Sequence, residues 1–305
     1  MSQRAWCWVT GALMMLMVIT GCSSTPRGGT GDLVVIDIGH CVGAEGATMP
    51  AAIAGKRWSE CAFWYRYCLD VKRVVESAGY RCVVTNRGNA PAGGPMAADA
   101  RRAGVVHLRN PDLGGKRRPS HYYPDRVGSG SASADYAVYR GAACVVFLHH
   151  NSSSSHWVSG GSPSLIICNR YNGRPLARAL ADAMDREILD NGMPNGGRKC
   201  RIQPRYVDAD RSAAWMNILD DAGIPAAVLE VAYLNNRDHA AFLCSDSNAR
   251  RYARAVGHGI VRYMKESRGR RPHYRTDPNR PDEGSFGYAA ESRRLNIPGA
   301  KRLIH

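Results

Sequence analysis

The chain is short of acidic residues. It has 26 Asp and Glu against 41 Lys and Arg over 305 residues, a formal net charge of +15. That imbalance favours an anionic partner: nucleic acid, anionic lipid or an acidic polymer. Charge alone does not choose among them. No two cysteines stand in a Cys-x-x-Cys pair, which argues against a cysteine zinc site. No His-Glu-x-x-His run exists either, so a metal site would have to be gathered from distant parts of the chain. The apolar stretch Trp6–Thr20 is shorter than the roughly 20 residues a comfortable membrane-spanning helix needs. No internal repeat is visible. What remains is an ordinary globular composition, long enough for one domain of roughly 200–250 residues with tails.

The N-terminus reads as an export signal. Arg4 gives a positive start, the apolar stretch follows, and Gly21-Cys22 leads into Ser23-Ser24-Thr25-Pro26. Val18-Ile19-Thr20-Gly21-Cys22 resembles a bacterial lipobox. The resemblance implies that residues 1–21 are a lipoprotein signal peptide and that Cys22 is lipidated, a membrane anchor. The other reading is an uncleaved anchor. Ser23 after the cysteine resembles the outer-membrane sorting choice of Gram-negative lipoproteins, facing the periplasm. Residues 22–31, rich in Ser, Gly, Thr and Pro, then form a flexible tether. Export leaves eight cysteines in an oxidising compartment, which allows disulfides without fixing their pairing. Cys82, Cys144 and Cys168 lie in strand-like runs and also read as small buried apolar residues.

Three apolar runs end in groups that carry chemistry. Leu33–His40 ends in Gly-His, Cys144–Asn151 ends in His149-His150-Asn151, and Ala226–Glu230 ends in a carboxylate. As parallel neighbours they would converge on one rim of a sheet, where open α/β sheets bind ligands. A helix is expected over Glu60–Ala78, with Trp64, Tyr67, Cys68, Val71, Val74, Val75 and Ala78 on one stripe and Gly79 as its stop. Glu60 lies on that buried stripe at the helix N-terminus. Its carboxylate needs a partner: the free N–H groups of the helix, or a metal. Tyr80–Arg87 reads as the next strand, completing a tight βαβ unit.

Residues 88–135 form an insertion dense in Gly, Pro, Ser and Arg, either a segment facing a ligand or a plain surface loop. Further helices are expected over Ala134–Gly141, Arg174–Leu189, Ala209–Ala222, Asp238–Leu243 and Asn248–Glu266. A strand is expected at Ser164–Cys168 and a loop over Gly192–Arg205. Residues 267–305 read as a basic, disordered tail, with nine Lys and Arg against four Asp and Glu from Arg268 on.

His40, Glu60 and His149 would make a His₂Glu set. Catalytic zinc takes three protein ligands and keeps one position for water, whose pKa it lowers towards about 7. Glu230 suits a general base. Spacing alone makes a weak case, since a lone histidine is more often structural.

The wording around these residues adds a resemblance. Val35-Ile36-Asp37-Ile38-Gly39-His40 resembles the VIDPGHGG opening of the zinc-dependent N-acetylmuramoyl-L-alanine amidases, the Amidase_3 family. Ser59-Glu60, then Gly79-Tyr80-Arg81 and Thr85-Asn86-Arg87, match the next block. Phe147-Leu148-His149-His150-Asn151 is similar to the SIHAN motif, and Pro225–Asn236 to PAVLVEVGFLSN. The blocks come in family order and cover most of 32–266, the expected catalytic domain. The resemblance implies an α/β, phosphorylase/hydrolase-like fold: a mostly parallel sheet with helices on both faces. It implies zinc held by His40, Glu60 and His149, Glu230 as the catalytic glutamate, and hydrolysis of the amide between N-acetylmuramic acid and L-alanine in peptidoglycan.

His150 stands at the family's usual Ala position, and with Asn151 it is a candidate for lining the substrate cleft. Ile38, Cys41, Phe147, Ala232 and Tyr233 depart from the family wording, but no ligand or base is lost. The implied partners are peptidoglycan, a membrane through Cys22, and an activator protein as a candidate; export removes the usual nucleic-acid targets. The rivals are a zinc peptidase cutting within the stem peptide and a peptidoglycan-binding lipoprotein with an occluded or inactive site.

Overall fold

The computed structural model describes residues 31–108, 131–153, 155–159, 164–170, 172–204, 219 and 223–268. The expected signal peptide, the lipidation site Cys22, the tether up to residue 30 and the tail beyond Arg268 lie outside the described residues. So do the middle of the insertion and the helix expected over 209–222, Leu219 aside.

Seven strands form one sheet. In chain order the elements are β1 (Leu33–Ile38), α1 (Glu60–Ser77), β2 (Arg81–Asn86), α2 (Gly94–Ala103), β3 (Val106–His107), α3 (Ser131–Arg140), β4 (Cys144–Leu148), β5 (Leu165–Cys168) and α4 (Gly173–Met184). A π-helical turn at Asp185–Leu189 extends α4. Then come β6 (Arg201–Pro204), β7 (Ala226–Glu230), α5 (Arg237–Cys244) and α6 (Asp246–Glu266). The spatial order is β3-β2-β1-β4-β7-β5-β6. β3, β2, β1, β4 and β7 are parallel, β5 runs antiparallel to β7, and β6 follows β5. The sheet is therefore mostly parallel, as expected. Two segments expected as loop hold structure: β6 lies within 192–205, and α2 and β3 lie within the insertion. No helix among the described residues is long and apolar enough to cross a membrane.

Strand alternation divides the core into two layers. Val34, Ile36 and Ile38 of β1 face a large layer with residues of α1, α4 and α6. Leu33 and Val35 face the other way, with Val145, Phe147 and Val228 and with Ala134 and Ala137 of α3. A parallel strand buried on both faces reads as a continuous apolar run, which is why these strands were legible. α1 begins where Ser59 caps it, the Ser59 hydroxyl accepting from the Ala62 N–H at 3.2 Å. Eight cysteines lie among the described residues. Six of them, Cys61, Cys68, Cys82, Cys144, Cys168 and Cys244, are buried as small apolar residues.

One β1 residue breaks the apolar pattern. Asp37 is 2% exposed and accepts hydrogen bonds from the Thr85 hydroxyl at 3.0 Å and from the Ser133 hydroxyl of α3. Burial outweighs these bonds and pushes its carboxyl up to about 6. The native state then holds this proton more tightly than the unfolded chain. Stability falls as pH rises from about 4 to about 6, and the ionised form costs on the order of 1–3 kcal/mol at neutral pH. Asp37→Asn keeps an oxygen for both hydroxyls. It is expected to raise the urea midpoint of the metal-free protein at pH 7.5 and to flatten the change between pH 4.5 and 7.5. A variant less stable than the parent at both pH values would refute this account.

Candidate metal centre

Three chain segments build the centre at the C-terminal rim of β1 and β4. Beyond β1 the Gly39 N–H donates to the Leu148 carbonyl at 2.9 Å, carrying the β1–β4 pairing into the loop. A Cβ on Gly39 would lie 2.5 Å from that carbonyl oxygen and 2.7 Å from the His149 ring, so only glycine lets the two strand ends come this close. His40 then takes a φ of 63°, in the left-handed region that non-glycine residues rarely occupy. The Asn86 amide at the end of β2 holds the turn, donating to the Ile38 carbonyl at 3.0 Å and the His40 carbonyl at 2.6 Å. In this turn the His40 ring lies across the rim beside His149. Their ring centroids are 5.0 Å apart, edge to face.

Glu60 comes from the other direction, as the first residue of α1. It is buried, and its carboxylate is fully engaged: one oxygen accepts from the Ala47 N–H at 2.6 Å, the other from the His150 N–H at 3.0 Å. The second oxygen also lies 3.4 Å from His40 Nε2 and 3.2 Å from His149 Nδ1. One donor atom from each of His40, Glu60 and His149 falls within 4.8 Å of the other two. The histidine side chains are 27% and 21% exposed while that of Glu60 is 4% exposed, so the cluster is closed behind and open in front.

Charge follows this geometry. Burial would raise the Glu60 carboxyl, but the His149 hydrogen bond and the two imidazoles bring it below its usual range. Burial dominates at His40 and lowers it, despite Glu60. Burial also opposes the charged form of His149, yet the Glu60 hydrogen bond and charge, followed by the charges of Glu230 and Asp37, raise it. An ionised carboxylate between two imidazoles, open on one side, is the donor chemistry of catalytic zinc with three protein ligands. The three residues present fit the ion.

Glu230 stands at the same rim but outside the donor cluster. The register pairs Leu148 with Leu229, and the His149 N–H donates to the Leu229 carbonyl at 3.1 Å, so Glu230 follows His149 side by side. It is half-buried. Asn151 is bridged to Tyr233, its N–H donating to Ala232 and its carbonyl accepting from Leu234. His150 departs from the expectation of a cleft-lining residue. Strand alternation turns it inward, and it is 2% exposed among Phe63, Trp64 and Tyr252.

Two supporting residues had no role in the sequence reading. Asn86 clamps the His40 turn. His239 pins the segment after Glu230: its Nδ1 accepts from the Tyr233 N–H at 3.1 Å and its Nε2 donates to the Pro194 carbonyl at 2.9 Å. Neither bond leaves a local signal, since both partners are backbone groups.

A family model described as N-acetylmuramoyl-L-alanine amidase, Amidase_3, matches residues 34–262, from β1 into α6 and across every residue of this centre. The chain belongs to the N-acetylmuramoyl-L-alanine amidase family. The amidase hydrolyses the bond between N-acetylmuramic acid and L-alanine in peptidoglycan, its family is zinc-dependent, and its substrate places it in the cell envelope.

Solved structures similar to the amidase include AmiC2 of Nostoc punctiforme, at 18% identity and a TM-score of 0.47, covering 78% of this chain and 98% of that one. The CwlD amidase of Clostridioides difficile, solved in complex with the GerS lipoprotein, is 16% identical with a TM-score of 0.49, covering 77% and 99%. The catalytic domain of CwlV from Bacillus (Paenibacillus) polymyxa var. colistinus is 19% identical with a TM-score of 0.44, covering 77% and 98%. A search of curated proteins finds no match. Family membership rests on the family match.

Proposed function

We propose that His40, Glu60 and His149 hold the zinc of this amidase, that Glu230 is its proton shuttle, and that it works from a lipid anchor at Cys22 on the periplasmic side of the outer membrane. The observation behind the ligand assignment is the convergence of three donors from β1, α1 and β4 into one half-open cluster. When bound, zinc supplies Lewis acidity, which activates water near neutral pH and polarises a carbonyl. The Glu60 carboxylate, fixed by two backbone N–H groups, keeps the donor set charged and in place. Glu230 takes a proton from the attacking water and returns it to the departing L-alanine nitrogen, since an amine leaves poorly as an anion. The exposed faces of His40 and His149 leave room for the scissile amide. The anchor is supported by Val18–Cys22, and the catalytic domain is 32–266, flanked by the tether and the basic tail.

The test is digestion of purified peptidoglycan by the full chain in detergent, with and without chelator, with fragments identified by mass. The expected products are stem peptides with a free L-alanine amine, lost on chelation and restored by zinc. Cuts inside the stem would replace the assignment by a peptidase. No release from a zinc-loaded protein would indicate an occluded site awaiting an activator, or a binding protein.

A further inference from the structure

His150 is buried, next to a ligand in sequence, and not itself a donor to the centre. Its ring stacks on Trp64 at 5.2 Å between centroids, with planes 14° apart. Phe63 meets it edge-on at 4.6 Å, and Tyr252 of α6 lies tilted at 5.7 Å. Neither ring nitrogen has a hydrogen-bond partner among the described residues. Buried polar groups are ordinarily bonded, so this ring is engaged as a flat aromatic body rather than as a donor or acceptor.

The backbone of the same residue does the opposite. Its N–H donates to the Glu60 oxygen that faces both histidines. Glu60, Phe63 and Trp64 all belong to the first turns of α1. The His149–His150 peptide is thus attached to one helix twice, through the N–H at residue 60 and through the ring at residues 63 and 64. These attachments bear directly on the spacing between Glu60 and His149, which come from two different elements: a helix start and a strand end.

We infer that His150 is a positioning residue for the metal centre, an aromatic wedge against α1 that holds the His149–Glu60 pair at ligating distance. The inference rests on the zinc reading of the site. Partners that hydrogen-bond metal ligands from outside change metal affinity by about 10- to 100-fold when removed, and the wedge should act on that scale. The wedge needs a ring and not its nitrogens, so phenylalanine should replace it and alanine should not.

The experiment measures zinc affinity of the metal-free full chain in detergent by competition with a chromophoric chelator. The parent is compared with His150→Ala and His150→Phe, and folding is checked by circular dichroism. The expected result is a 10- to 100-fold weaker Kd for H150A, with H150F within a few-fold of the parent. Peptidoglycan hydrolysis by H150A should recover at saturating zinc, which a general loss of structure would not do. Parent-like zinc affinity in H150A would overturn the wedge. Equal weakening in H150F would also overturn it, since the nitrogens would then matter. Should H150A not fold, H150F alone still decides against the wedge if its affinity falls. A parent that binds no zinc would overturn the metal reading itself, a separate result from the variants differing.

Discussion

Glu230→Ala is expected to lower kcat for release of L-alanine-ended stem peptides by about 10²- to 10⁴-fold, the usual contribution of a positioned acid–base group. Zinc affinity should stay within a few-fold of the parent. The separation follows from where Glu230 sits. It is locked beside His149 by the β4–β7 register, yet it lies outside the three-donor cluster. Removing its carboxylate takes away the proposed proton acceptor and leaves the proposed ligands on their own supports: Asn86 behind His40, Ala47 and His150 behind Glu60. Glu230→Gln, nearly isosteric and unable to accept a proton at neutral pH, should match the alanine variant. Turnover measured by mass spectrometry beside a chelator-competition titration checks both halves. More than a tenth of parental kcat in E230Q would remove Glu230 from the mechanism.

Glu60→Ala is expected to act on two quantities at once. Zinc binding and hydrolysis should both be lost, because one of the three proposed ligands is gone and with it the only carboxylate of the set. The metal-free protein should also lose stability. The half-buried Ala47 N–H and the buried His150 N–H both donate to this carboxylate, and a buried donor left without an acceptor costs about 1–3 kcal/mol. Urea denaturation in chelator would show the second effect with no metal involved. Glu60→Gln retains an amide oxygen for one donor and should fall between. If E60A kept its zinc affinity, the ligand set would have to be drawn elsewhere. If it lost zinc but not stability, the two hydrogen bonds would contribute little.

The features most easily read from the sequence were those governed by burial on both sides. Leu33–Ile38, Cys144–Leu148 and Ala226–Glu230 are unbroken apolar runs because they lie inside a parallel sheet, and their terminal groups gather because the strands point the same way. Glu60 was legible as an inward carboxylate at a helix start. The rest depended on context. β6 reads as loop in the sequence because Arg201–Pro204 is an edge strand, with an exposed Arg201 and a proline, and shows no clean alternation. α2 was hidden by Gly94-Pro95 at its start and by its weak apolar face. The reversal of β5 leaves no mark in its own residues, since Leu-Ile-Ile-Cys pairs as well antiparallel as parallel. His150 could not be placed because a histidine after a strand is equally plausible at a rim or beneath it. The aromatics that receive it come from α1 and α6, far away in sequence.

The two histidines belong to strands that are distant in the chain and adjacent in the sheet. The centre therefore does not exist in any short fragment: in the unfolded chain its three donors are held far apart in sequence. It forms when β1 and β4 zip together and α1 docks, a long-range pairing of the kind that sets the pace of folding. On the proposed ligand set, zinc should be a late arrival. It rewards the finished topology by mass action rather than templating it. Supplying the ion during refolding should deepen the native well and slow its escape, while leaving the rate at which chains reach it unchanged.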